Sequence, residues 1–214
     1  SDLVDAVHSY GGLVYHDIIK RRHAEKAAEA GVDGLILVAA GAGGHAGILN
    51  PIALVNEIKQ FFHKTILLSG CISNGNDVAS ALQMGADLAY MGTRFINTAE
   101  SLADEAYQKM IINSKAEDIV YTAAVSGVNA SFLRPSLEAM GITEDLWSKS
   151  KKIDFGSELD AAKADAKAWK TIWSAGQGVT SIKDVQPTKD LIDQLIKEFK
   201  VALSLQKKNF DTYC

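Results

Sequence analysis

The chain has little cysteine, no excess of positive charge and no long hydrophobic run. Two cysteines in 214 residues, Cys71 and Cys214, cannot staple a fold, and that usage fits a reducing, cytoplasmic setting. Neither CxxC nor HExxH occurs, so no metal site is expected. The net charge is −4 with no long basic stretch, which argues against nucleic acid or an anionic membrane as partner. Apolar runs fall far short of the roughly 20 residues that span a bilayer. No secretory leader is visible at the start, and no repeat or low-complexity segment appears. What is present is ordinary for a soluble globular chain: 47% hydrophobic and 22% charged residues. The length suits one domain, or one domain with a small appendage.

Residues 12–113 alternate between two patterns. GLVYHDI (12–18), DGLILVAA (33–40), TILLSGCI (65–72) and DLAYMGTRFI (87–96) read as strands. Each is a short continuous apolar run, the pattern of parallel strands covered on both faces. Between them lie helices. RRHAEKAAEAG (21–31) closes on Gly31; NPIALVNEIKQFF (50–62) opens with Asn50 as N-cap and Pro51 at the first position. NDVASALQMG (76–85) is bounded by Asn76 and Gly85, and a further helix runs from Thr98 to about Asn113. Strand–helix alternation at this spacing predicts βα units.

Such units build a doubly wound sheet or a (β/α)8 barrel. The dinucleotide fingerprint GxGxxG should follow the first strand and open a helix. GAGGHAG (41–47) instead follows the second strand and meets Asn50–Pro51, so the barrel is the better fit. In a barrel, chemistry sits in loops at the carboxyl ends of the strands. Those loops are GAGGHAG, SGCISNG (69–75) and MGTRF (91–95). Ser69, Gly70, Gly75, Gly92 and Thr93 offer hydroxyls and open backbone suited to a phosphate. Only about four βα units are present, half a TIM barrel, which predicts two open strand edges and an exposed apolar face. The expected division is a C-terminal half-barrel over 1–117, a small, mostly helical second domain over 118–180, and a helix in 181–214 packing back on the barrel. That helix carries an apolar stripe of Leu191, Ile192, Leu195, Ile196, Phe199 and Leu203.

AAGAGGHAG (39–47), LLSGCISNGNDVASALQMGADLAYMGTRF (67–95) and AWKTIWSAGQGV (168–179) occur in this order. Together they resemble the nitronate monooxygenase family, also called 2-nitropropane dioxygenases. Its pattern runs AGGHxG, GGIADG, LGAD and QMGTRF. The family is similar to flavin-dependent enoyl reductases of fatty-acid synthesis and to some NADH:quinone reductases. The resemblance implies an FMN-binding TIM barrel, of which this chain looks like the C-terminal part. The remaining strands would come from an N-terminal half or from a second copy, and a homodimer is conceivable on the same ground. Three departures stand out. GGI reads GCI, placing Cys71 at the second glycine; IADG reads ISNG; and His16 is followed by Asp17 where some relatives carry lysine.

The implied roles follow residue by residue. Ser69, Gly70, Cys71, Gly75, Gly92 and Thr93 would hold the FMN phosphate, mainly through backbone N–H groups. Gly43 and Gly44 would let the main chain lie against the flavin, with Val38 and Met91 packed nearby. His45 would face the reactive side as base for a neutral nitroalkane or donor to a nitronate, since an imidazole ordinarily titrates near neutrality. The substrates would be an alkyl nitronate or nitroalkane and O2. Two alternatives use the same loops: an FMN-dependent NAD(P)H:quinone or enoyl-thioester reductase, and a non-catalytic half-domain that binds a phosphate ligand. His8, His16, His23 and His63 read as surface or supporting residues, and Cys71 as a small buried side chain rather than a nucleophile. Trp169 and Trp173 read as core, and Lys149, Lys151 and Lys152 as a solvated loop. The Gly176–Gly178 turn suits a cofactor contact or a helix terminus equally well.

Overall fold

The computed structural model describes residues 2–148 and 172–213. Four strands, β1 (Tyr15–Ile18), β2 (Gly34–Val38), β4 (Thr65–Ser69) and β5 (Leu88–Tyr90), form one parallel sheet in the order β1-β2-β4-β5. The order follows the sequence without reversal, as in a barrel wall rather than a doubly wound sheet. α2 (Arg21–Glu29), α3 (Pro51–Lys59) and α4 (Gly75–Gln83) follow the first three strands. An N-terminal helix, α1 (Asp2–His8), precedes β1, and Asp33 joins the two. Its carboxylate accepts from the Val14 backbone N–H at 2.7 Å and pairs with His8 at 2.8 Å. These two hydrogen bonds, the backbone one first, hold Asp33 below its ordinary carboxylate range.

The pleat divides the sheet into two unlike faces. Ile18, Leu35, Leu37, Ile66 and Leu68 are buried and meet Leu54, Val55 and Ile58 of α3 in the main core. Each such side chain contributes roughly 1.5–3 kcal/mol by leaving water. The opposite face carries the row Asp17–Ile36–Leu67–Leu88, with Tyr15 and Tyr90 beside it. Leu88 and Tyr90 are 51% and 48% exposed. Among the described residues the strands are therefore covered on one face, not two. β1 and β5 each have one neighbour among the described residues. In β1 only Ile18 is buried, which corrects the expectation of a buried strand over 12–18.

Cap chemistry moved several boundaries. α4 starts at Gly75 because Asn74, not Asn76, is its cap: Asn74 accepts from the Asp77 N–H while Asp77 accepts from Asn74. The fourth strand ends at Tyr90, and Thr93–Ile96 turn into a short helix, α5. The next helix, α6 (Glu105–Asn113), begins seven residues later than Thr98 because Asp104 supplies the cap.

The segment expected to be mostly helical contains, in its described part, an antiparallel sheet. β6 (Ile119–Thr122) pairs with β7 (Ala130–Leu133), and β7 pairs in turn with the two-residue β3 (Gly44–His45). α7 (Arg134–Ala139), with Pro135 in its first turn, and α8 (Glu144–Trp147) follow. Trp169 and Lys149, Lys151 and Lys152 lie outside the described residues.

The C-terminal helix, Thr188–Tyr213, packs on α4. Gly75 makes this approach possible, since an added Cβ would lie 2.3 Å from the Leu195 carbonyl oxygen and 2.4 Å from the Phe199 nitrogen. The buried face is narrower than the expected stripe. Leu191 and Ala202 are buried, while Ile192, Ile196 and Leu203 are exposed. Half of the expected stripe faces inward, Leu191 buried and Leu195 and Phe199 half-buried, and the close backbone crossing at Gly75 falls on Leu195 and Phe199. No helix among the described residues is long and apolar enough to cross a membrane.

Candidate functional site

The carboxyl ends of β2, β4 and β5 meet at a cavity of about 330 Å³. Of the residues expected to form the site, Gly43, Gly44, Ser69, Gly70, Cys71, Gly92 and Thr93 line it. Val38 and Met91 do not; Val38 packs with Ala42 and Ala46, and Met91 against the main core. Gly75 lies away from the lining, its N–H donated to Glu198 Oε2 at 2.8 Å. His45 sits one residue beyond Gly44, exposed, on β3 opposite Ala130.

Three loops are bound into one wall. The Gly41 carbonyl accepts from Cys71 N–H at 3.3 Å and from Gln177 N–H at 2.9 Å. Gly176 N–H donates to Thr93 Oγ1 at 3.0 Å. Gly43 and Gly176 approach backbone to backbone: a Cβ on Gly176 would stand 2.5 Å from the Gly41 oxygen, and one on Gly43 would stand 2.8 Å from the Gly176 nitrogen. The Gly176–Gly178 turn thus belongs to the cavity. Sequence reasoning had left it open because a glycine after a helix has the same signature.

The histidine loop is held from downstream. β7 pairs with Gly44 and His45, and Tyr121 Oη donates to the Ala46 carbonyl at 2.8 Å. Tyr107 closes another side of the cavity. Its hydroxyl donates to the Ser174 carbonyl, and its ring stacks on Trp173 at 5.1 Å. Burial pushes the Tyr107 hydroxyl up to about 12. Tyr107 lies in no motif, and Ile96 and Ser73 lie inside or beside quoted motifs without being named as site residues.

The lining includes no lysine, arginine or histidine among the described residues. The arginine of MGTRF turns away from the cavity: Arg94 is 3% exposed, with Nη2 on Asp184 Oδ1 at 3.0 Å and Nη1 on the carbonyls of Asn97 and Asp184. What the cavity offers an anion is neutral. Its hydroxyls are Ser69, Ser73, Tyr90, Thr93, Tyr107 and Ser174. The backbone N–H groups of Ile72, Gly92 and Thr93 meet no acceptor among the described residues. Ile72 is buried, Thr93 is half-buried and Gly92 is exposed, so these donors are open to a ligand in the cavity. An added Cβ on Gly44 or Gly92 would meet nothing within 4 Å, so both glycines face open space.

Cys71 departs from its expected place. It is exposed, not buried, and holds φ +58°, a left-handed conformation that a glycine adopts without strain. Partial burial, then the nearby Asp77 carboxylate, push its thiol up, so it stays protonated near neutrality and is a poor nucleophile. Among the described residues no cluster of histidine, cysteine and carboxylate side chains could hold a metal ion.

A family model described as nitronate monooxygenase matches residues 1–198. A nitronate monooxygenase of Paraburkholderia phytofirmans is 29% identical over 187 residues, covering 81% of this chain and 51% of that protein. A probable nitronate monooxygenase of Staphylococcus aureus is 33% identical over 185 residues, covering 79% and 51%. The chain spans about half the length of these curated relatives. Among solved structures, FabK from Thermotoga maritima superposes with a TM-score of 0.79 at 24% identity, covering 97% of this chain and 67% of that one. A nitroalkane oxidase from Streptomyces ansochromogenes superposes at 0.75 with 23% identity, covering 96% and 62%. These structures share the α/β fold and its parallel sheet with the chain.

Proposed function

Because the chain belongs to the nitronate monooxygenase family, we propose that it forms the FMN-holding part of an oxidoreductase acting on alkyl nitronates or nitroalkanes with O2. The observation that carries this reading is the cation-free cavity ringed by unspent backbone N–H groups and hydroxyls at three strand ends. A phosphate monoester satisfies such donors, and the open space at Gly44 and Gly92 leaves room for it. FMN, when bound, supplies the electron transfer between substrate and O2.

The chain's own residues bind and orient. Ser69, Gly70, Gly92 and Thr93 hold the phosphate end; Thr93 Oγ1 accepts from Gly176 and keeps its own hydrogen to donate. The N–H of Cys71 is spent on Gly41, so this residue shapes the loop rather than binding through its backbone. Gly43 and Gly44 let the main chain approach the flavin. His45, fixed on the β3–β7 ladder, takes the proton from a neutral nitroalkane or donates to a nitronate oxygen. The uncovered sheet face is the seat of the remaining barrel strands, from an N-terminal half or a second copy. In this organisation residues 1–117 are the half-barrel, 118–180 a second domain and 181–214 the returning helix.

The test is anaerobic flavin reduction by stopped flow, on protein reconstituted with FMN. Fast reduction by propyl nitronate, and not by NADH, supports the proposal. Fast reduction by NADH alone points instead to a reductase of quinones or enoyl thioesters, and an absence of both leaves a phosphate-ligand binding module.

A further inference from the structure

Ser73 stands where the family pattern IADG carries alanine. The residue is 3% exposed and lines the cavity, and its Oγ is buried without a hydrogen-bond partner. A hydroxyl closed off from water and left unpaired is costly. Its backbone N–H is already taken by Asp77 Oδ2 at 2.9 Å, so only the side chain is unspent. Room for that side chain is made on the far side by Gly178, where an added Cβ would come within 2.2 Å of the Ser73 oxygen. The same loop has lost a donor: the Cys71 N–H is engaged by the Gly41 carbonyl.

Resting on the FMN reading above, we propose that the Ser73 hydroxyl is a positioning donor to the phosphate monoester of the bound ligand, replacing the backbone donor that Cys71 withholds. Ser73 therefore discriminates a flavin that carries a phosphate from one that does not.

The experiment titrates the full chain with FMN and with riboflavin, following flavin fluorescence, for wild type and Ser73→Ala. Melting of each ligand-free protein is followed in parallel. The expected result is an FMN affinity at least about tenfold lower in Ser73→Ala, the scale of a hydrogen bond to a charged group. Riboflavin affinity should be the same in both proteins, and ligand-free Ser73→Ala should melt no lower than wild type because an unpaired oxygen has been removed. Equal FMN affinity in the two proteins overturns the assignment while leaving FMN binding intact. An equal loss for both flavins, or a lower melting point without ligand, shows a merely structural serine and also overturns it. Wild type that binds neither flavin overturns the FMN reading and this assignment together.

Discussion

At the scale of single residues the site depends on what side chains leave out. Gly92 has a φ of −116° and open space where a Cβ would go, so the backbone tolerates a larger residue and the cavity does not. Gly92→Val should keep the fold, read by circular dichroism, and lose FMN binding, read by fluorescence. A folded variant that retains stoichiometric FMN would show that Met91–Phe95 is only a packing turn. His45 makes the opposite case, a side chain presented by a loop of glycines. His45→Ala should slow flavin reduction by neutral nitroethane at least about 10²-fold, the low end of general acid–base contributions. Reduction by the preformed nitronate should suffer less, since no proton has to be removed. Equal rates for wild type and variant with nitroethane would exclude His45 as the base.

At the scale of elements, the βα units of residues 12–113 were legible because continuous apolar runs and capping residues each have a local cause. Asn50 is the N-cap it was read as, accepting from Ile52 N–H at 2.9 Å. The errors came where two local signals competed or where the deciding contact was distant. Asn74 and Asn76 both suit a cap, and only Asp77's reach back to Asn74 decides between them. β7 was missed because Ala130–Leu133 has no alternation of its own; all four residues are buried, and β3 and β6 recruit it. Of the site, the glycines and hydroxyls in the motifs were readable, whereas Tyr107 and the Gly176–Gly178 turn arrive through long-range contacts.

Tyr107 links α6 to the cavity, and its titration gives a signed expectation. Tyrosine ordinarily ionises near pH 10, and burial pushes Tyr107 up to about 12. The folded state thus holds the proton more tightly than the unfolded state. The stabilisation is whole below about pH 10 and is lost as pH rises towards about 12. Tyr107→Phe should cost about 1–3 kcal/mol at neutral pH by leaving the Ser174 carbonyl without its donor. Denaturant unfolding should show the gap to wild type narrowing above about pH 10; a gap constant with pH would place the titration elsewhere.

At the scale of the whole molecule, the parallel sheet has four strands and two unlike faces. Its main core is closed against α3, while Tyr15, Leu88 and Tyr90 stand exposed on the other side and β1 and β5 have open edges among the described residues. Unpaired edges beside exposed apolar side chains favour association. Residues 1–214 expressed alone should therefore be oligomeric or aggregation-prone by light scattering and should hold FMN weakly. A monodisperse monomer that carries FMN through size exclusion would contradict this account. Adding the strands that complete the barrel, as a separate polypeptide or by fusion, should raise FMN affinity and lower the scattering together.

The Gly41 carbonyl, shared by Cys71 and Gln177, has a consequence for timing. One acceptor fastens two donors that are 106 residues apart in the chain, and β7 and Tyr121 fasten the same loop a few residues on. Such a knot has no loop free to flicker by itself; loosening one strand of it frees the others. Opening this wall therefore means parting the Gly41, Cys71 and Gln177 backbones together, and hydrogen exchange at the Cys71 and Gln177 amides should report one shared opening rate.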